Sequence, residues 1–300
     1  MSTIDDIGAA VAAVAASTGS SVVSIGRNAR GSVVVVADGQ VLTNAHNLRG
    51  SEVTVTFADG RSTVGAVAGV DADGDLAVIK VDTSGATALA WSDGNALAIG
   101  TPVFGAAATV GGGVRVTFGI VSAVSRAFRG PGGRRIAGSV EHTAPMAPGS
   151  SGSALLDAKG KLIALNTNRI GEGFYLALPA DAALKARVDA LGRGETPERA
   201  RLGVAIAPNH VARRLRRSVG LPERDGVLVR GVEDGSLAAA AGVEAGDLIV
   251  SAGGKSVANG DDLFDALGSL KPPFEVGLVR GSEERTVTVG TPQGRTPGNA

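Results

Sequence analysis

Short apolar runs separated by turns fill residues 21–179, which predicts a mainly β structure for this part of the chain. In its first half the predicted strands are Val22–Ile25, Val33–Val36, Val53–Phe57 and Leu76–Val81. Asp-Gly dipeptides beginning at residues 38, 59 and 73 mark turns between them. In its second half, which begins at residue 102, the predicted strands are Val114–Val121, Ser139–Thr143, Lys161–Asn166 and Gly173–Leu178. Two consecutive sets of short antiparallel strands predict two barrels or sandwiches.

Helical patterns flank the two strand sets. Residues 4–17 are rich in alanine and predict a first helix. Residues 181–191 predict a second helix, because Leu184, Val188 and Leu191 recur at helical spacing and Gly192 fits a C-terminal stop.

The composition of the chain changes after residue 192. Residues 193–200 are charged and contain a proline, as is typical of a linker, and residues 291–300 predict a disordered polar tail. Residues 201–290 predict a separate α/β domain. Its predicted strands lie near Val204 and over Val227–Val229, Leu248–Ser251, Phe274–Leu278 and Arg285–Val289, and its predicted helices over Ser236–Ala241 and Asp261–Leu270. Residues 1–192 then form the first of two domains, in line with ~150 residues per domain.

Charge and residue usage exclude several classes of function. The formal net charge is zero, so neither nucleic acid nor an anionic membrane is the expected partner. The chain has no cysteine, which removes disulfides, thiol catalysis and cysteine-bound zinc. Its histidines, His46, His142 and His210, form no His-x-x-x-His pair, so we expect neither a metal nor a cofactor. A cluster of four arginines over residues 213–217 favours a solvated helix face, with a nucleic-acid patch as the weaker alternative.

The N-terminal segment does not resemble a signal peptide. Asp5 and Asp6 stand where a basic region is required, and the following stretch is rich in small residues. No apolar run approaches the ~18 residues of a membrane span. We therefore expect a cytoplasmic protein, with export of a processed form left open.

Three segments supply the residues of a catalytic relay in the order His, Asp, Ser. They are Val41–His46 (VLTNAH), Asp75–Lys80 (DLAVIK) and Gly149–Ser153 (GSSGS). A serine hydroxyl becomes a good nucleophile when an imidazole takes its proton, and the imidazole needs a carboxylate to fix its tautomer. This chain order is that of chymotrypsin-type enzymes.

Each of the three segments also has a plainer interpretation when it is taken alone. A Gly/Ser turn is common in a chain with 45 glycines, a single histidine at a strand end is usually structural, and acidic turn residues are frequent. The conjunction favours catalysis by His46, Asp75 and Ser151. The glycines of the turn let Ser151 project outward and let the N–H groups of Gly149 and Ser151 form an oxyanion hole.

With TFGIVSA (Thr117–Ala123) and LIALNTN (Leu162–Asn168), these motifs resemble the HtrA/Deg serine proteases. The C-terminal region, including Val232–Ala239 (VEDGSLAA) and Ala245–Ile249 (AGDLI), is similar to the PDZ domain of that family. The resemblance implies a chymotrypsin-like double β-barrel, a small α/β PDZ domain, cleavage of unfolded or damaged proteins, and a homotrimer. The family usually has GNSGG in the nucleophile turn, and aromatic residues used for trimer contacts are missing near the N-terminus here.

Two binding regions follow from the same resemblance. In this fold the segment before the nucleophile forms the floor of the substrate pocket, here with Pro145 and Met146 and no acid, which predicts cleavage after small or medium aliphatic residues. Peptide C-termini are expected at the PDZ loop, Leu202, Gly203 and Val204, with Leu263 and Leu267 as the opposite wall. Plain core packing of the three leucines is the alternative. An inactive PDZ-containing chaperone or scaffold is the alternative for the whole chain, although it retains every member of the relay.

Overall fold

The computed structural model describes residues 2–26, 30–92, 97–110, 112–130, 135–196 and 201–290. It divides the chain into two compact units, Met1–Pro197 and Glu198–Ala300. Parts of the predicted linker and the whole predicted tail, residues 197–200 and 291–300, lie outside the described residues. None of the described helices is long and apolar enough to cross a membrane.

The first unit begins with a helix and a closed six-stranded barrel. Helix α1, Thr3–Thr18, is capped by Ser2, whose side chain accepts a hydrogen bond from the amide of Asp5. The strands are β1 Val22–Ile25, β2 Gly31–Ala37, β3 Gln40–Thr43, β4 Glu52–Thr56, β5 Ser62–Asp71 and β6 Leu76–Lys80. They pair in the order β1-β2-β3-β6-β5-β4.

A second closed barrel completes the unit, followed by a helix. Its strands are β7 Pro102–Ala108, β8 Val114–Arg129, β9 Arg135–His142, β10 Ala154–Leu156, β11 Leu162–Arg169 and β12 Tyr175–Pro179. They pair in the order β10-β11-β12-β9-β8-β7. Helix α2, Ala182–Gly192, buries the predicted face formed by Leu184, Val188 and Leu191. These side chains join a core cluster that also contains residues from both barrels, so the barrels pack as one body.

The second unit is a smaller α/β structure. Its elements are β13 Val204–Ile206, α3 Asn209–Ser218, β14 Val227–Val232, α4 Leu237–Ala240, β15 Leu248–Ala252, β16 Lys255–Ser256, α5 Gly260–Leu267, β17 Phe274–Arg280 and β18 Glu283–Val289. The sheet order is β13-β14-β15-β17-β18, with β16 paired to β15. The mainly β double-barrel prediction and the α/β second domain are confirmed.

Some elements differ from those predicted. Strand β5 was absent from the prediction because glycine interrupts its apolar pattern, and at Gly69 a Cβ atom would lie 2.6 Å from the carbonyl oxygen of Leu191. The arginine cluster lies on α3, but Arg216 is buried rather than solvated, and its Nε donates to the carbonyl of Pro222. Its neighbours Arg213 and Arg217 pair with Asp225 and Glu223. Three of the four arginines, including Arg214, are exposed, so the expected solvated helix face is present and Arg216 is its one exception.

Candidate active site

His46 and Asp75 come from neighbouring turns of the first barrel and lie in contact. His46 is in the 3-10 turn Ala45–Asn47 that follows β3, and Asp75 precedes β6. The Nδ1 atom of His46 lies 2.9 Å from both carboxylate oxygens of Asp75. The main-chain N–H of His46 donates to the same carboxylate over 3.1 Å. Because the carboxylate only accepts, Nδ1 carries the ring proton and Nε2 is left as the basic nitrogen.

Two further residues fix Asp75, which is only 1% exposed. The hydroxyl of Thr167, on β11 of the second barrel, donates to its Oδ2 atom over 2.7 Å. Asp75 has a φ angle of +55°, which is unfavourable for a non-glycine residue, and the side-chain amide of Asn44 donates to its carbonyl over 3.0 Å. The carboxylate therefore has one orientation, directed at His46.

The nucleophile turn belongs to the second barrel but is tied to the first. The carbonyl of Ser151 accepts from the amide of Ser32 and from the side chain of Asn47, each over 2.9 Å. The next residue, Gly152, has a φ angle of +83°, and a Cβ atom there would lie 2.2 Å from the carbonyl oxygen of Ser32. Only glycine allows the backbone of the turn to approach Ser32 so closely, and the turn therefore packs directly against the first barrel.

The Ser151 hydroxyl is not directed at His46 in this structure. Its Oγ atom donates to the carbonyl of Thr167 over 3.1 Å. The predicted relay is thus brought together in two parts: His46 and Asp75 are hydrogen-bonded, and Ser151 is bonded to the residue that also holds Asp75.

The amides of the turn fall into two groups. Those of Ser150, Gly152 and Ser153 donate to main-chain carbonyls. Those of Gly149 and Ser151 donate to no group among the residues that the structure describes. These are the two N–H groups predicted to bind an oxyanion, and Gly149 has the positive φ, +85°, that a turn of this kind requires.

A cavity of about 290 Å³ adjoins Ser151. It is lined by Met146, Ala147, Pro148, Gly149, Ser150, Ser151, Asn166, Thr167, Asn168, Arg169 and Tyr175. Met146 is thus placed at the predicted pocket, whereas Pro145 is exposed and lies outside this lining. No carboxylate occurs among the described lining residues, and Arg169 brings a cation to it.

The second unit places the predicted peptide-binding residues in two environments. Leu202, Leu263 and Leu267 are at most 5% exposed and belong to the unit's hydrophobic core, which is the alternative that the sequence left open. Val204 is half-buried on β13, at one end of the described sheet. Gly203 has a φ angle of +75°, and a Cβ atom there would lie 2.3 Å from that of Ser236.

Thr167, Ser32 and Asn47 support the site and were not among the predicted site residues. Thr167 and Asn47 each lie within or beside a quoted motif, but hydroxyl and amide side chains occur at many positions. The role of each depends on which strand of the other barrel lies opposite, and no local pattern reveals that.

Comparison with known proteins agrees with this geometry. Residues 31–165 match the family model of the trypsin-like peptidase domain, and residues 228–281 match that of the PDZ domain. The serine protease HhoA of Synechocystis sp. is 34% identical over 288 residues, which are 88% of this chain and 70% of the relative. The chain belongs to the HtrA/Deg family of serine proteases.

Other members of the HtrA/Deg family extend the comparison. The DegP-like periplasmic serine endoprotease of Halomonas elongata is 32% identical over 85% of this chain, which spans only about half, 54%, of that relative. The solved structure of the HtrA-type protease AlgW with a decapeptide superposes with a TM-score of 0.75 at 24% identity, covering 93% of this chain and 97% of that one. It shares the fold.

The expected cytoplasmic location is wrong. It rested on the absence of a recognisable signal peptide, whereas the DegP-like relative from Halomonas elongata is named a periplasmic enzyme. An N-terminal pattern reports on export only when the export segment is part of the sequence, so its absence carried no information about the compartment.

Proposed function

We propose that this chain is a serine endopeptidase that cleaves unfolded or damaged proteins outside the cytoplasm, with His46, Asp75 and Ser151 as its triad. The observation that carries the proposal is the Asp75 carboxylate, which accepts from both the ring and the main chain of His46. This arrangement leaves Nε2 as a base and stabilises the imidazolium that forms when Nε2 takes a proton.

The reaction follows from these roles. Ser151 Oγ attacks the scissile carbonyl carbon while its proton moves to Nε2 of His46, and the amides of Gly149 and Ser151 bind the oxyanion. His46 then gives the proton to the leaving amine. Water repeats the attack on the acyl-enzyme, with His46 again as the base.

One rearrangement precedes attack in this mechanism. Ser151 Oγ leaves the carbonyl of Thr167 and turns toward Nε2 of His46. A side-chain rotation of this kind takes picoseconds to nanoseconds when nothing opposes it. The acceptor it leaves is a backbone carbonyl, so the resting contact is of the neutral kind, worth about 1 kcal/mol.

The cavity beside Ser151 favours an aliphatic side chain on the residue before the cleaved bond. A lysine or arginine side chain would enter it without a carboxylate partner and close to Arg169. An unpaired charge in such a site is strongly unfavourable. Small or medium aliphatic residues such as Val, Ala, Ile and Leu meet no such penalty.

Digestion of casein tests both parts of this proposal. Wild-type protein should release fragments, and Ser151→Ala should reduce the rate by several orders of magnitude, leaving roughly 10³–10⁴ over water. The matched control Ser150→Ala should retain cleavage. Mass spectrometry should place most cuts after aliphatic residues. An unchanged rate in Ser151→Ala would refute the nucleophile, and a dominant Lys/Arg signature would refute the pocket.

We propose residues 201–290 as the peptide-binding PDZ domain, residues 1–192 as the peptidase domain and 193–200 as the linker between them. Two observations support peptide binding. Strand β13 lies at the end of the described sheet order, which leaves an edge to which an extended peptide can add. The amides of Leu202 and Gly203 have no acceptor among the described residues and are available to a terminal carboxylate.

The peptide site is tested on the full chain carrying Ser151→Ala, which prevents cleavage. A peptide with a free apolar C-terminus should bind in the micromolar range, about −8 kcal/mol. The same peptide with an amidated C-terminus should bind at least about ten-fold more weakly, because a charged acceptor is lost. Equal affinities would exclude carboxylate capture. The homotrimer implied by the family is a separate proposal, and light scattering of the purified protein measures it directly.

A further inference from the structure

His142 is a buried titratable residue that the reaction above does not use. It is the last residue of β9 and is 0% exposed. Its Nε2 atom lies 2.8 Å from Oδ1 of Asn166, and its ring stacks on Tyr175 with centroids 5.6 Å apart. Both partners line the cavity beside Ser151.

The hydrogen bonds of Asn166 determine which nitrogen of His142 carries the proton. The side-chain nitrogen of Asn166 donates to the hydroxyl of Ser153 over 2.9 Å and to the carbonyl of Ala154 over 3.2 Å. Its Oδ1 atom is therefore an acceptor, so His142 donates to it through Nε2–H. The other ring nitrogen, Nδ1, is a buried acceptor without a partner among the described residues.

The neutral ring is what this environment favours. Burial lowers the pKa of His142 to about 4, against an opposing contribution from the hydrogen bond to Asn166. An apolar side chain would fill the same space without leaving a buried nitrogen unpaired. The donor to Asn166 is the one interaction of this ring that an apolar residue could not supply.

Asn166 connects His142 to the nucleophile turn. Its carbonyl accepts from the amide of Gly152 over 2.8 Å, and its amide donates to the carbonyl of Ser153 over 2.9 Å. Ser153 stands where the HtrA family usually has glycine, and its hydroxyl accepts a hydrogen bond from the side-chain amide of Asn166. A hydrogen-bonded chain thus runs from His142 through Asn166 to the two residues that follow Ser151.

We propose that His142 is a positioning residue of the peptidase, which holds Asn166 and thereby fixes the nucleophile turn beside the substrate cavity. Among the described residues its ring hydrogen-bonds to Asn166 and to neither Ser151 nor the oxyanion amides, so we assign it no part in proton transfer. The inference rests on the proposed endopeptidase activity. Within that activity it assigns part of the transition-state geometry to a side chain outside the triad.

Three replacements of His142 separate its hydrogen bond from its bulk. His142→Phe keeps a ring against Tyr175 but removes the donor. His142→Gln supplies an amide N–H at the reach of Nε2, and His142→Asn supplies a shorter one at the reach of Nδ1. We expect kcat for a peptide substrate to fall about ten-fold in the Phe and Asn variants, the usual effect of one lost hydrogen bond, with KM within about two-fold. The Gln variant should recover to within about three-fold of wild type.

A double-mutant cycle tests the route through Asn166. Among the described residues, Asn166 is the hydrogen-bonding link between His142 and Ser153, so the effects of His142→Phe and Ser153→Ala on kcat should not multiply. Multiplicative effects would contradict the hydrogen-bonded connection from His142 through Asn166 to Ser153. An undiminished kcat in His142→Phe would contradict the positioning role. Equal losses in the Phe and Gln variants would assign the effect to the ring instead of its donor, which also contradicts the proposal.

The controls keep this test distinct from the test of the activity itself. Fluorescence of Trp91, the single tryptophan of the chain, reports whether each variant is folded. Should His142→Phe fail to fold, the His142→Asn and His142→Gln pair carries the same comparison. A wild-type protein that neither cleaves casein nor reacts with a fluorophosphonate would refute the proposed function. An active wild type with a fully active His142→Asn would refute the inference alone.

Discussion

Each barrel of the first unit contributes one part of the proposed site, and the two parts differ in whether their side chains already have the hydrogen bonds that catalysis requires. In the first barrel, His46 and Asp75 are already hydrogen-bonded in the arrangement that a general base requires. In the second barrel, the hydroxyl of Ser151 donates to the carbonyl of Thr167 instead of to the base. Two neighbouring turns thus bring His46 and Asp75 together, whereas the direction of the Ser151 hydroxyl depends on its contact with strand β11.

Neither barrel holds its half alone. Thr167 of the second barrel donates to Asp75 of the first, and Ser32 of the first barrel donates its amide to the carbonyl of Ser151 in the second. Each half of the triad is thus fixed partly by the opposite barrel. Variants in either barrel can therefore test whether the two parts of the site depend on each other.

The largest expected effect comes from the half that is already assembled. Asp75→Asn should lower kcat by about 10⁴-fold, because an amide facing Nδ1 favours the tautomer with the proton on Nε2. The rate of peptide hydrolysis measures this effect. Asp73→Asn, in the same turn, is the matched control and should leave the rate unchanged. A loss below ten-fold in Asp75→Asn would mean that the carboxylate does not orient His46.

The second barrel should lose stability in acid through His142. Burial lowers its pKa to about 4 in the folded protein, against 6.5 for an ordinary histidine. The folded state therefore binds fewer protons than the unfolded chain between these values. Its stability is fully present above pH 6.5 and falls as the pH drops to 4, by about 3 kcal/mol from this residue.

Urea unfolding followed by Trp91 fluorescence at pH 7 and pH 4 measures that loss. Other groups titrate in both proteins, so the informative quantity is the difference between wild type and His142→Gln, whose side chain does not titrate. The wild type should lose about 3 kcal/mol more of its unfolding free energy than the variant. Parallel losses would show that His142 is not held neutral.

A smaller effect is expected at the contact between the barrels. Thr167→Val removes the hydroxyl that donates to Asp75 and keeps the carbonyl that accepts from Ser151. A hydrogen bond to a charged group contributes about 1.5–3 kcal/mol, so kcat should fall roughly 10- to 100-fold. Thr167→Ser keeps the hydroxyl and should stay close to wild type. Equal rates for Val and Ser would show that the two halves do not depend on this bond.

Much of the fold could be predicted because apolar periodicity is a local signal. The strand Val22–Ile25 is observed with the predicted bounds, and helix α2 differs from its prediction by one residue at each end. Strand β10 has three residues, too few to show a period, and β5 is interrupted by glycines that close packing requires. Such positions are determined by neighbours that are distant in the sequence.

The residues of the site also differ in whether a local sequence pattern could predict them. His46, Asp75 and Ser151 were recognisable because few residue types perform this chemistry and their motifs lie in a characteristic order. The contacts of Thr167 and His142 arise only when strands from distant parts of the chain meet. In the second unit, Leu263 and Leu267 have the spacing expected of one wall of a groove, but core packing uses the same apolar side chains.

Labelling of the resting protein by a fluorophosphonate, followed by mapping of the adduct, tests the central claim most directly. The reagent reacts with a serine that its base and oxyanion hole activate, and it requires no protein substrate. The account predicts a single adduct on Ser151, absent from Ser151→Ala and slowed strongly in Asp75→Asn. An adduct on Ser150 or Ser153 would contradict the assignment of the nucleophile. A folded wild-type protein that forms no adduct would contradict the claim that the two barrels assemble a working triad.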